Sequence, residues 1–140
     1  MSTLETVLYT GRTHITGGRD GRGRSDDGAI DVKLAHLGSG RPGSNPEQLL
    51  GIAWSACFIG AMRIAAADLQ VKLPAEPSVD AEVSLGKTNG GLNCGLAMKM
   101  SIDLPGLDEA VKQQLVGTAH QTCPYSLATR GNIDVEFVIL

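Results

Sequence analysis

Residues 49–67 read LLGIAWSACFIGAMRIAAA, an apolar run broken by one charge, Arg63, and what covers that run decides what the chain folds into. The run approaches membrane-spanning length, but an internal charge and the lack of a second such stretch favour a helix buried at the centre of a water-facing fold. NPEQ, residues 45–48, supplies the start of that helix: Asn45 as N-cap, Pro46 at the first helical position, Gln48 placed for a capping box. A helix is therefore predicted from Pro46 to about Asp68.

The rest of the chain has to cover it. Residues 4–15 read as a strand ending at Gly17-Gly18, and AIDVKLA, residues 29–35, alternates Ile30, Val32 and Leu34 with polar neighbours, so two strands flank a Gly, Arg and Asp loop. SVDAEVSLG and LNCGLAMKMSI alternate on either side of KTNGG, which predicts a hairpin. Leu107, Ala110, Val111, Gln114, Leu115, Thr118 and Ala119 recur at helical spacing behind Asp108 and Glu109, acids favoured in a first turn, and Pro124 stops this second helix. NIDVEFVIL closes as an alternating strand. The order is strand, strand, helix, strand, strand, helix, strand, an α+β fold in a single domain over residues 1–140. With five aromatic residues (one Trp, two Tyr, two Phe), its core has to be built mostly from aliphatic side chains and Met.

Several function classes fall away. Fifteen acids against twelve bases leave a net charge of −3, which disfavours affinity won by neutralising phosphates, so no nucleic acid is expected as partner. MSTLETVLYTGRTH lacks the basic and apolar segments of a secretory signal, so a cytoplasmic protein without a membrane is expected. In that compartment three cysteines do not make a structural disulfide framework, and any disulfide would be transient and functional. His120 and Cys123 have an H-x-x-C spacing, but nothing completes a four-ligand zinc set. The glycine-rich loop leads from strand to strand, whereas phosphate-binding loops open a helix. His14 and His36 read as ordinary strand or loop residues, without a triad pattern around them.

The cysteines read differently from one another. Cys94 shares the apolar face of its strand with Leu92 and Leu96 and is expected to be buried and structural. Cys123 lies where a helix gives way, a place where thiols are more often accessible. Cys57 sits inside the long apolar run, where burial silences a thiol unless a positive charge reaches it. Arg19, Arg22 and Arg24 in the loop GGRDGRGRSDDG carry such charges, although Asp20, Asp26 and Asp27 balance them in a solvated loop. Glu47 has the chemistry to hold an arginine by a bidentate pair, or simply favours the helix dipole. Ten residues of helix rise about 15 Å, so Glu47 cannot touch Cys57 of its own chain, and a shared site calls for a partner subunit.

Taken together, GGRDG (17–21), NPEQLL (45–50), SACFIGAM (55–62) and CPYSLATRGNIDV (123–135) resemble the bacterial organic hydroperoxide resistance proteins of the osmotically inducible protein C superfamily. Four separated motifs in the same order cover most of the chain. The resemblance implies that Cys57 is the peroxidatic cysteine, Cys123 the resolving one, and Arg19 and Glu47 the residues that activate Cys57. It implies an intertwined homodimer, with long central helices wrapped by antiparallel sheets and sites at the subunit interface. It further implies an organic hydroperoxide as substrate, no bound cofactor, and a dihydrolipoyl group on a carrier protein, or dihydrolipoamide, as reductant. Apolar residues such as Ile52, Trp54, Phe58 and Met62 would favour lipid or aryl hydroperoxides where they line the site. Cys94 stands outside the family's pattern. Two other readings use the same residues: a redox sensor switched by the Cys57 and Cys123 pair, and a non-catalytic dimer that holds a lipid.

Overall fold

The computed structural model describes residues 3–73 and 76–140. Contacts divide the chain into two compact units, Met1–Pro46 and Glu47–Leu140.

The N-terminal unit is a small antiparallel sheet of β1 (Thr13–Thr16), β2 (Arg22–Ser25) and β3 (Asp31–Lys33) in that spatial order. The strand expected over residues 4–15 is thus confined to its last residues, because the register with β2 runs out at Thr13 opposite Ser25. The segment before it is exposed, Leu8 to 95 %. The stretch expected as one flexible loop instead contains β2, paired on both edges. What reverses the chain is GGRDG itself, a single 3-10 turn at Gly18–Asp20. Gly17 and Gly18 have φ of 72° and 56°, a region where side chains are strained. At Gly21 a Cβ would fall 1.5 Å from the Thr16 carbonyl oxygen, so only glycine fits. After β3, the chain returns through a bridge between Leu34 and Ser44.

The second unit is built on α1 (Pro46–Asp68), at the predicted position. Gly51, Trp54, Phe58, Ala61, Met62, Ala65 and Ala66 are buried. They recur every three or four residues and form one stripe. That stripe packs on a sheet of order β4-β5-β6, formed by β4 (Ser78–Thr88), β5 (Asn93–Asp103) and β6 (Asp134–Ile139). The approach is close at Gly51, where a Cβ would meet Val83 at 3.5 Å and Ala81 at 3.7 Å. β4 and β5 form the predicted hairpin, whereas β6 pairs with β5 in parallel. The predicted alternation holds on all three strands: Val79, Ala81 and Val83, then Met98, Met100 and Ile102, then Val135, Phe137 and Ile139 belong to the core or pack against it. Phe58 stacks on Phe137 with ring centroids 5.3 Å apart.

The return from β5 to β6 runs through α2 (Glu109–Thr122) and a helix the spacing did not predict, α3 (Pro124–Thr129). Pro124 does end α2, as expected. It also opens α3, because proline's fixed φ suits a first helical position. On α2 the buried positions are Leu115, Val116 and Ala119, while Ala110 and Gln114, expected on the inner face, are exposed. Cys94 is exposed, not buried. Burial along β5 begins at Met98, so the end of the hairpin where Cys94 faces Lys87 lies beyond the core.

Opposite its buried stripe, α1 presents a second apolar face, with Ile52 71 % and Ile64 67 % exposed. Among the described residues, this is the one helix long and apolar enough to cross a membrane. Its inner face fills the core of the unit.

Candidate active site

Two of the three cysteines come together. Cys57, midway along α1, and Cys123, between α2 and α3, have their sulfurs 3.5 Å apart, Cys123 donating to Cys57. Both are free thiols, Cys123 fully buried and Cys57 partly so. The accessible position expected for Cys123 is therefore a buried one. The helix break places it against the core, at the end of the stripe of Leu115 and Ala119. Its backbone is extended, φ −61° and ψ 123°, yet it serves both neighbours: its N–H donates to Ala119 O at 2.8 Å and its carbonyl accepts from Leu127 N at 2.9 Å. One residue thus ends one helix and starts the next, which fixes where the thiol emerges.

The surroundings of Cys57 set its acidity. Burial pushes the thiol above its ordinary pKa, the neighbouring Cys123 thiol pushes it further, and the backbone N–H of Tyr125 opposes them. The net direction is upward, so these contacts leave Cys57 protonated at neutral pH. Nucleophilic work at this sulfur requires an added positive charge.

The segment holding Cys123 is tied to α1 by aromatic and polar contacts. Trp54, one turn before Cys57, donates its indole N–H to Ser126 Oγ at 3.4 Å and stacks on Tyr125 at 6.2 Å. Arg130 caps the end of α2, donating to His120 O at 2.6 Å and to Gln121 Oε1 at 3.0 Å. His120 rests edge-on against Phe137, and burial, helped by the Arg130 charge, holds it below the ordinary imidazole pKa and therefore neutral. Of the apolar residues expected around Cys57, Trp54, Phe58 and Met62 are fully buried in the core beneath it, whereas Ile52 lies on the exposed face of α1.

Glu47 occupies the first turn of α1, ten residues before Cys57. Arg19 belongs to the N-terminal unit, at the exposed middle of the 3-10 turn. Of the other two arginines in this stretch, Arg22 makes a bidentate pair with Asp31, 2.7 Å at each oxygen, and Arg24 reaches the same carboxylate at 3.4 Å. For Arg22 and Arg24 the balancing acid is thus Asp31 on the neighbouring strand.

Asp20, next to Arg19, is held from the other side of the unit. It accepts from His36 N–H at 3.1 Å and from Arg41, and His36 Nδ1 lies 2.7 Å from Oδ1. These contacts, led by the His36 side chain, lower its pKa. His36 therefore has a definite task in bracing the turn. No local motif announces it, since the contact spans sixteen residues.

The OsmC-like protein family matches residues 38–138. The chain is similar to an organic hydroperoxide resistance protein of Xanthomonas axonopodis pv. citri, 48 % identical over 99 % of both chains. Among solved structures it is similar to the organic hydroperoxide resistance protein OhrB of Bacillus subtilis, at TM-score 0.89 and 34 % identity over 96 % of this chain and all of that one. An organic hydroperoxide resistance protein from Elizabethkingia anophelis superposes at TM-score 0.87 and 36 % identity, over 97 % and 98 % of the two chains.

Proposed function

Because this chain belongs to the organic hydroperoxide resistance proteins of the OsmC-like family, we propose that it is a thiol peroxidase that reduces organic hydroperoxides to alcohols. The observation that carries the reading is the 3.5 Å approach of Cys57 and Cys123, two free thiols 66 residues apart in sequence.

Cys57 thiolate attacks the terminal oxygen of the hydroperoxide. The O–O bond breaks, the departing alkoxide takes a proton and leaves as the alcohol, and Cys57 becomes a sulfenic acid. Cys123 then attacks that sulfur. The S–O bond breaks, hydroxide leaves with the Cys123 proton as water, and a disulfide remains. A dithiol, in this proposal a dihydrolipoyl group on a carrier protein or free dihydrolipoamide, reduces it by two exchanges and leaves as its own cyclic disulfide.

The upward shift at Cys57 is what calls for a cation. Arg19, oriented by Glu47, takes that role in this reading, as the resemblance implies. The apolar residues around Cys57 favour lipid or aryl hydroperoxides and limit a second oxidation of the sulfenic acid. A homodimer is supported by the second apolar face of α1 and by the exposed Leu8 and Tyr9, since a monomer rarely leaves so much apolar surface in water. The proposed location is the cytoplasm.

The test is consumption of cumene hydroperoxide by the pure protein with dihydrolipoamide, against Cys57→Ser, Cys123→Ser and Arg19→Ala, with the disulfide followed by intact mass. Repeated turnover through a Cys57 to Cys123 disulfide is expected. Stoichiometric oxidation without turnover would replace the enzyme by a redox switch.

A further inference from the structure

Ser126 is the buried polar residue of a core otherwise apolar among the described residues, fully inaccessible to water. Most buried hydroxyls are hydrogen-bonded, and the partner of this one is Trp54, itself fully buried. The bond joins positions 72 apart, and its two ends sit beside the two sulfurs: Trp54 three residues before Cys57 on α1, Ser126 three after Cys123 on α3. Tyr125, whose ring stacks on Trp54 and whose N–H faces Cys57, belongs to the same contact. Thr129 ties α3 together by donating to Tyr125 O at 2.8 Å, so α3 moves with Ser126 as a unit.

We infer that Ser126, pinned by Trp54, is a positioning residue that decides the fate of the Cys57 sulfenic acid: disulfide with Cys123, or further oxidation by a second hydroperoxide. This inference rests on the peroxidase reading above. The two fates compete for one sulfur. Attack by the Cys123 sulfur breaks S–O, forms S–S and releases water. Attack on a second hydroperoxide breaks its O–O bond, adds an oxygen to Cys57 as sulfinic acid and releases a second alcohol. The first path is intramolecular and depends on where α3 holds Cys123. The second does not.

The sulfurs must close from 3.5 Å to about 2.05 Å, so a small displacement of α3 lowers the first rate and leaves the second untouched. A misplacement of about 1 Å is enough for a ten- to hundredfold loss in such a step.

The bond is broken from each end, by Ser126→Ala and separately by Trp54→Phe, both checked for folding by circular dichroism. Rapid-mixing kinetics with one equivalent of cumene hydroperoxide give the first oxidation, and intact mass after several equivalents gives the ratio of disulfide to sulfinic acid. In both variants the sulfinic share is expected to rise roughly tenfold at equal hydroperoxide, a partition read separately from the rate of the first oxidation. Trp54 is the sole tryptophan, so its emission in Ser126→Ala reports loss of the bond directly. An unchanged partition in either folded variant, or a loss confined to the first oxidation, would overturn the inference. Should one variant fail to fold, the other decides. If the wild-type protein forms no Cys57 to Cys123 disulfide, the peroxidase reading falls and the inference falls with it, whereas a wild-type disulfide with an unchanged partition overturns the inference alone.

Discussion

Closing the Cys57 to Cys123 disulfide should raise the stability of the protein by an amount the positions alone predict. The link encloses 66 residues. The loop-entropy relation gives about 4 kcal/mol at 25 °C for that length, before any strain in the folded state. Strain is the opposing effect, because the sulfurs have to move from 3.5 Å to about 2.05 Å, with Cys123 held by backbone hydrogen bonds on both sides. If that motion costs about 1 kcal/mol, roughly 3 kcal/mol remain, on the order of 10 °C in melting temperature for a domain of this size. The assay is calorimetry on protein reduced by a dithiol, then oxidised with one equivalent of cumene hydroperoxide, in a Cys94→Ser background so that the exposed thiol makes no crosslink. Cys123→Ser treated identically should show no rise. An oxidised form that melts at or below the reduced one would refute the reasoning, since the two thiols would then not be held in a geometry close to the bonded one.

Four further outcomes are expected. Limited alkylation of the reduced protein should label exposed Cys94 well before buried Cys123, as read by peptide mass mapping. Gly21→Ala should cost roughly 3 kcal/mol or more, because its Cβ would overlap the Thr16 carbonyl, whereas Gly18→Ala, with open space and only an unfavourable φ, should cost about 1 kcal/mol; urea titration separates them. Asp20 has a folded pKa below its ordinary 3.8, so its contribution to stability is present above that value and disappears as pH falls through the lower folded value. The gap in melting temperature between wild type and Asp20→Asn should therefore be constant near neutrality and close in acid below about pH 4. Finally, Arg19→Ala should slow hydroperoxide consumption while leaving the melting temperature nearly unchanged, and an unaltered rate would remove Arg19 from the site.

Much of this was legible because it is local. The capping signals at Asn45 to Gln48 and the apolar run behind them located α1, and strict alternation located β4, β5 and β6. What escaped depends on contacts between distant residues. Cys94 follows the alternation of β5 faithfully, yet a strand pattern cannot say how far along the strand the core extends. The same blindness made residues 4–12 look like a strand, since alternating side chains do not supply a neighbour to pair with. Pro124 was read only as a helix stop, although the same ring that ends α2 suits the first turn of α3. In the candidate site, Cys57 and Cys123 were marked by the family resemblance, and their chemistry alone left both open. The brace beside them, Trp54 to Ser126, and within the N-terminal unit the brace of Asp20 to His36, join positions 72 and 16 residues apart and leave no periodic trace.

The parallel pairing of β6 with β5 also bears on how the protein comes to exist. An antiparallel hairpin such as β4 and β5 closes on itself within microseconds, but a parallel strand has to wait for its crossover, here α2 and α3. Contacts of such long sequence separation form late. The thiol pair is made by that same crossover, so a chain caught partway through folding holds Cys57 without its neighbour. An oxidant met at that stage finds a sulfur without Cys123 held beside it, so resolution waits on chance closure of a loop of 66 residues. In the proposed peroxidase, fast folding shortens the time that Cys57 spends without its neighbour.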